Sequence, residues 1–331
     1  VVNDKFMDKS RLTDGGLTKM QRQAIINELR WAVVGDALGL PAENHERDIY
    51  SPITTMIASE YWQQPAGTWS DDTSMSLAMV ENLVVDGDYD DLMCRFESYM
   101  RFGTDTPRGE MFDIGRTCAH AIRDFAINQL PAVQCGDCSL NANGNGALMR
   151  MAPLGTALQP DSSIAHRLTR VRRYTAVTHG HPRSIMASLI YCELLHALHQ
   201  GQQLSKALIE VHQLLAATIK APALLSELNT YQPLFSSHFK QTSRADVRNT
   251  GYVVDTLLAA CWLALNYETP RETVLAAANF GGDTDTIATI AASLAAAGHP
   301  AIPVATDWWQ QILNRPLLEE RFTAFASKFG D

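Results

Sequence analysis

Positive charge is what this chain has least of. Only 19% of its 331 residues are charged, and 27 Lys and Arg stand against 36 Asp and Glu, a net charge of −9. A chain that acidic has no footprint for a nucleic-acid backbone, so nucleic acid is excluded as a partner. It has no apolar run approaching the roughly 20 residues that span a bilayer, so no membrane segment is expected. The opening "VVNDKFMDKSRLTDGGL" lacks the apolar core of a secretory signal. The six cysteines, Cys94, Cys118, Cys135, Cys138, Cys192 and Cys261, are scattered, four of them in apolar helix-like stretches where buried free thiols are common. Cys135 and Cys138 form one C-x-x-C pair, "CGDC", without a second pair or a nearby His, so a plain loop is expected rather than a zinc site. Reduced thiols and a cytoplasmic setting follow as the simplest expectation. Strand-like alternation is scarce. No G-x-G-x-x-G follows a strand, which excludes a dinucleotide-binding sheet. There is no fixed-length repeat and no linker.

What remains is helix. A stripe of Met20, Ile25, Ile26, Leu29 and Val33 predicts a first helix in "TKMQRQAIINELRWAVVGDALGL". Gly35 and Gly39 predict a tight turn at its end. Further helices are predicted in "TSMSLAMVENLVV", "DYDDLMCRFESYMRF", "FDIGRTCAHAIRDFAI", "PRSIMASLIYCELLHALHQ", "SKALIEVHQLLAATI" and "GYVVDTLLAACWLALN". Thr269, Pro270 and Glu272 read as a capping box with Pro at the first helical position. Residues 222–248 read as an irregular surface excursion. The fold expectation is one compact all-α domain over residues 18–331, behind a polar arm at residues 1–17 that is flexible or binds a partner.

Two segments carry the chemistry. "GTWSDDTSMSLAM" places Asp71 and Asp72 between Ser70 and Thr73, at the start of an apolar helix. "NFGGDTDTIATIAASLAAAG" does the same with Asp283, Asp285 and Thr286. Carboxylates and hydroxyls are hard ligands suited to Mg²⁺, Mn²⁺ or Ca²⁺. Four aspartates balance two divalent ions if both segments converge. In "VVGDALGLPAE", Asp36 is a cap or a ligand, and Glu43 a base or an orienting group. In "NANGNGALMR", residues Asn143, Gly144, Asn145 and Gly146 offer backbone amides before a helix, the arrangement that cradles a phosphate. His179 of "THGHP" is a substrate contact or a loop hydrogen-bonder. Tyr252 of "NTGYVVD" packs in the core or stacks on a ring.

Together the segments "GDALGLPAE", "GTWSDDTSMSLA", "FDIGRTC", "NGALMRMAPLG", "THGHP", "GYVVDTLLAACW" and "NFGGDTDTIATIAASLAAA" resemble the ADP-ribosylglycohydrolase family, in the family's order, across about residues 20–300. The resemblance implies a helical fold with a dinuclear Mg²⁺ (or Mn²⁺) centre. Its implied ligands are Ser70, where relatives often have Thr, with Asp71, Asp72, Asp283, Asp285 and Thr286. It implies Asp113 of "DIG", Glu43 and Asp72 as catalytic carboxylates. Residues 143–146, His179 and Tyr252 would meet the substrate. The "GTWSDDTSM" and "DIG" forms resemble bacterial members acting on ADP-ribosyl-arginine, so the implied partners are an ADP-ribosylated protein and ADP-ribose. The extra N-terminal residues resemble those of immunity proteins in the family. These counter an ADP-ribosyltransferase toxin by reversing its modification and by plugging its active site. The alternative expectation is therefore a toxin-occluding protein with catalysis secondary, although the metal motifs look intact. A structural-metal protein without catalysis would not need the phosphate-type loop.

Overall fold

Alanine and glycine decide how closely the helices of this chain approach one another. The computed structural model describes residues 14–330. In order, its α-helices are α1 (Asp14–Gly39), α2 (Asp71–Val84), α3 (Tyr89–Phe102), α4 (Arg116–Asn128), α5 (Ala152–Ala157), α6 (Ile164–Ala176), α7 (Pro182–His199), α8 (Leu204–Thr218), α9 (Pro222–Glu227), α10 (Val253–Asn266), α11 (Pro270–Ala278), α12 (Thr284–Gly298), α13 (Thr306–Trp309) and α14 (Arg315–Phe329). Among the described residues the only β-pairing is in isolated bridges, so the all-α expectation holds. No described helix is long and apolar enough to cross a membrane.

α12 is the axis of the core. Every residue from Thr284 to Ala297 is buried, as expected of a helix that is apolar on all sides. α1, α7, α10 and α11 pack around it, and α14 and α2 close over α1. α1 lies along α12 at a distance set by two glycines. A Cβ on Gly35 would come within 2.5 Å of the Ala288 carbonyl oxygen, and one on Gly39 within 2.5 Å of the Asp285 Cα. The expected turn at these glycines is therefore corrected: both lie inside α1, and a short 3-10 turn, Leu40–Ala42, follows. Their four-residue spacing puts them on one helical face, which is the face applied to α12.

Local signals start the helices. Ser70 caps α2 and accepts from the Asp72 backbone N–H at 3.3 Å. The capping box of Thr269 and Glu272, with Pro270 in the first turn, starts α11 as expected. Pro153 lies in the first turn of α5, where its missing N–H leaves no bond unmade. Residues 222–248 are more ordered than a surface excursion: α9 and three 3-10 segments form there, and two of those segments bury Leu228, Tyr231, Leu234 and Phe239. Of the expected N-terminal arm, residues 14–17 belong to α1, and residues 1–13 lie outside the described residues.

Because backbone, not a flexible side chain, faces the missing Cβ, Gly39→Ala is expected to lower the free energy of unfolding by about 2–4 kcal/mol, measured by urea denaturation. An unchanged midpoint would mean that α1 and α12 can separate at no cost.

Candidate functional site

Two helix N-termini meet at one end of the core. The first turn of α2 carries Asp71 and Asp72, and that of α12 carries Asp285 and Thr286. Asp72 Oδ2 receives hydroxyls from both sides, Ser70 Oγ at 3.3 Å and Thr286 Oγ1 at 3.2 Å. Asp36, on the last turns of α1, lies beneath α2. Its carboxylate accepts from Ser70 N at 2.9 Å, Thr73 N at 3.1 Å and Thr73 Oγ1 at 2.6 Å. Of the two roles open to it, Asp36 takes the cap: it satisfies the amides that a helix start leaves orphaned.

Short bridges bring the loops to these helix ends. Asn44 N donates to Gly282 O at 2.8 Å and Gly282 N to His45 O at 2.7 Å, with Gly281 and Gly282 at φ of 73° and 72°, where a side chain would be strained. This pairing sets Glu43 beside Asp283. Carboxylate oxygens of Glu43, Asp283 and Asp285 all lie within 4.8 Å of one another. The Trp62 indole N–H and Asn44 Nδ2 both donate to Glu43. Asn145 Nδ2 donates to Asp283 at 2.6 Å, and Gly115 N to Asp71 at 3.2 Å. Asp113 stands three residues before α4, its carbonyl held by the Tyr99 hydroxyl. Glu43, Asp71, Asp72, Asp113, Asp283 and Asp285 all line one cleft of about 1090 Å³, with Arg116 and Arg248 exposed on it.

The loop at residues 143–146 is placed differently from expectation. Gly144, Asn145 and Gly146 line the cleft, but Asn143 does not. Asn143 is buried, accepting from Ser184 Oγ at 2.9 Å. The Asn145 amide, expected to face an anion, donates to Gly251 O at 3.1 Å in a bridge between Gly144 and Tyr252. Tyr252 is also outside the cleft lining. It packs on the core, and its hydroxyl accepts from Arg183 at 2.9 Å. His179 does line the cleft. It is buried, and burial with the charge of Arg150 pushes it down to about 3, so the ring is neutral. Arg150, Asn145's hold on Asp283 and Trp62's hold on Glu43 were missed in the sequence. The one available signal was the charge of Arg150 inside the apolar run "GALMRMAPLG".

The sequence profile of the ADP-ribosylglycohydrolase family matches residues 31–330. The chain belongs to that family. It is 28% identical over 296 residues to an ADP-ribosylarginine hydrolase Tri1 of Pseudomonas putida (strain GB-1), covering 87% of this chain and 75% of the relative. It is 25% identical over 287 residues to the ADP-ribosyl-[dinitrogen reductase] glycohydrolase of Rhodospirillum rubrum, covering 84% and 86%. A solved structure described as an ADP-ribosylglycohydrolase-related protein complex superposes with a TM-score of 0.75 at 25% identity, covering 93% of this chain and 99% of that one.

This ADP-ribosylglycohydrolase family member has a donor set that fits a hard divalent cation. All its candidate ligands are carboxylate or hydroxyl oxygens. Asp72 Oδ1 is buried without a hydrogen-bond partner among the described residues. Burial, then neighbouring carboxylates, pushes Glu43 up to about 8 and Asp113 to about 9. Burial pushes Asp71 to about 7 against the Gly115 N–H, and holds Asp72 and Asp285 well above the usual carboxylate range. What the geometry groups most tightly is one set of three carboxylates, Glu43, Asp283 and Asp285, and not the six-residue dinuclear set expected. Glu43, expected as a base or an orienting group and not among the implied ligands, is part of it.

Without cation, the folded site keeps protons that the unfolded chain releases above pH of about 4. Stability therefore falls as pH rises from about 4 to about 9, because the native state binds more protons than the unfolded one. The metal-free protein is expected to melt at progressively lower temperature from pH 5 to pH 9. Mg²⁺ is expected to raise the melting temperature more at pH 8 than at pH 5. A Mg²⁺ effect independent of pH would separate the cation from these acids.

Proposed function

We propose that the protein hydrolyses the bond between ADP-ribose and a modified arginine of a target protein. The observation that carries this is the meeting of Asp71, Asp72, Asp283 and Asp285 from two helix starts, with Glu43 and Asp113 in the same cleft. The relatives described as ADP-ribosylarginine hydrolases support arginine as the linkage; a second one, from Serratia proteamaculans (strain 568), is 27% identical over 297 residues.

In this reading a water oxygen bonds to C1 of the distal ribose as the C1–N bond to the guanidino group breaks. One water proton ends on the departing nitrogen. Two Mg²⁺ (or Mn²⁺), held by Asp71, Asp72, Asp283, Asp285 and Glu43 with the hydroxyls of Ser70 and Thr286, would supply charge stabilisation and a grip on the ribose hydroxyls. Glu43 and Asp113 move the proton. Trp62 and Asn44 fix the Glu43 carboxylate, and Asn145 orients Asp283. Six free cysteines fit a reducing, cytoplasmic setting.

The test is release of ADP-ribose from a protein modified on arginine, with a serine-linked substrate run beside it. Release with Mg²⁺, none with EDTA, and a loss of about a hundredfold or more in Asp71→Asn and Asp283→Asn are expected. Near-normal release in either variant sinks the proposal, and faster release from serine sinks the arginine assignment.

A second reading adds immunity against an ADP-ribosyltransferase toxin. α1 ends at the cleft, and its 26 residues extend it by roughly 39 Å. Asp14, at the far end of α1, is thus remote from the cleft. Deleting residues 1–13 is expected to weaken toxin binding in a pull-down while leaving the rate of ADP-ribose release unchanged; parallel loss of both would point to folding instead.

A further inference from the structure

Arg150 is fully buried, yet no carboxylate lies within ion-pair distance of it among the described residues. It rises from a 3-10 turn, Leu148–Arg150, directly after the glycine loop that lines the cleft. Its guanidinium lies on the Phe96 ring, 4.8 Å from the centroid. Nη1 donates to Gly146 O and lies 3.8 Å from Cys118 Sγ. Nη2 donates to Thr178 Oγ1 at 2.7 Å, and that oxygen is 2.8 Å from His179 Nδ1. One cation thus joins the two walls of the cleft that carry residues 144–146 and His179.

The order of these bonds fixes a proton. A guanidinium only donates, so Thr178 Oγ1 is an acceptor toward Arg150 and turns its own proton elsewhere. The neighbours able to take it are Cys118 Sγ and His179 Nδ1, and an imidazole nitrogen is the better acceptor. Nδ1 is then unprotonated. A neutral ring in that state carries its hydrogen on Nε2. Nε2 faces the glycine loop: a Cβ on Gly144 or Gly146 would lie 3.9 or 3.8 Å from it.

We propose that Arg150 is a positioning residue that, through the Thr178 hydroxyl, holds His179 in its Nε2–H form, so that a neutral donor faces a substrate oxygen beside residues 144–146. The oxygen is that of an anionic group, such as a phosphoryl oxygen. This rests on the cleft being an ADP-ribosyl site.

Because Arg150 is buried and its loss threatens folding, Thr178→Val carries the test, with Thr178→Ser as rescue. The full chain with Mg²⁺ is labelled with ¹⁵N-histidine, and long-range ¹H–¹⁵N spectra report the His179 tautomer without substrate. The wild type is expected to show Nε2–H. Thr178→Val is expected to mix the tautomers and raise KM for an ADP-ribosylated protein about tenfold with kcat little changed, and Thr178→Ser to restore both. An Nδ1–H ring in the wild type, or an unchanged KM in Thr178→Val, overturns the proposal. A wild type that shows Nε2–H yet releases no ADP-ribose from any protein overturns the functional reading and leaves the relay standing.

Discussion

The close approach of α1 to α12 at Gly35 and Gly39 governs the chemistry at the end of the core. Two glycines inside a helix cost about 1 kcal/mol each relative to alanine. In return the last turns of α1 lie against the first turns of α12, and three consequences follow from that one contact. Asp36 is delivered beneath the start of α2. The 3-10 turn after Gly39 swings Glu43 toward Asp283. Thr284 Oγ1 donates back to Gly39 O at 2.8 Å, which fixes the first turn of α12 against the end of α1. A side chain at either glycine would push these helix ends apart and scatter acids from three different segments.

Gathering those acids works against folding. Two carboxylates 4 Å apart repel by about 4 kcal/mol at an effective dielectric of 20, and here several share one buried region. The positive ends of α2 and α12 both point at it, and hydroxyls of Ser70 and Thr286 reach Asp72, but each of these contributions is small. Asp36 shows the contrast. Four hydrogen bonds to Ser70 and Thr73 oppose its burial, and it is pushed only to about 6. Asp72 and Asp285, with fewer donors to oppose their burial and with acidic neighbours beside them, are held well above the usual carboxylate range. The strain is concentrated where a cation would relieve it, and such a site gains affinity from the repulsion that binding removes.

The acid motifs were legible because their signal is local: a carboxylate flanked by a hydroxyl at the start of an apolar run forms the same helix start wherever it falls. The all-α class was legible for the same reason, as was the capping box at Thr269. What was misread depends on partners far away in sequence. Gly35 and Gly39 suit a turn or a contact face, and only α12 decides between them. The amide of Asn145 looks available until Gly251, 106 positions on, takes it. Tyr252 reads equally as core packing or as a stacking surface, and only its distant neighbours in the core decide for packing. Glu43 was legible as an acid of the site, but its membership of a three-carboxylate group with Asp283 and Asp285 required the bridge between His45 and Gly282.

Those same bridges account for how an all-helical protein holds a site made largely of loops. His45 pairs with Gly282, Asp137 with His179, and Gly144 with Tyr252. Each pair is too short to be a sheet, yet each ties a cleft-lining loop to a second segment that is itself anchored on a helix start. Arg47 adds a further tie, donating to the carbonyls of Arg244, Val247 and Phe280 while stacking on the Phe280 ring. The loops of the cleft are thereby tied to the helical core by the fold itself. An interaction whose groups are already ordered loses little entropy when it forms, so a ligand entering such a cleft need not supply the energy to assemble its walls.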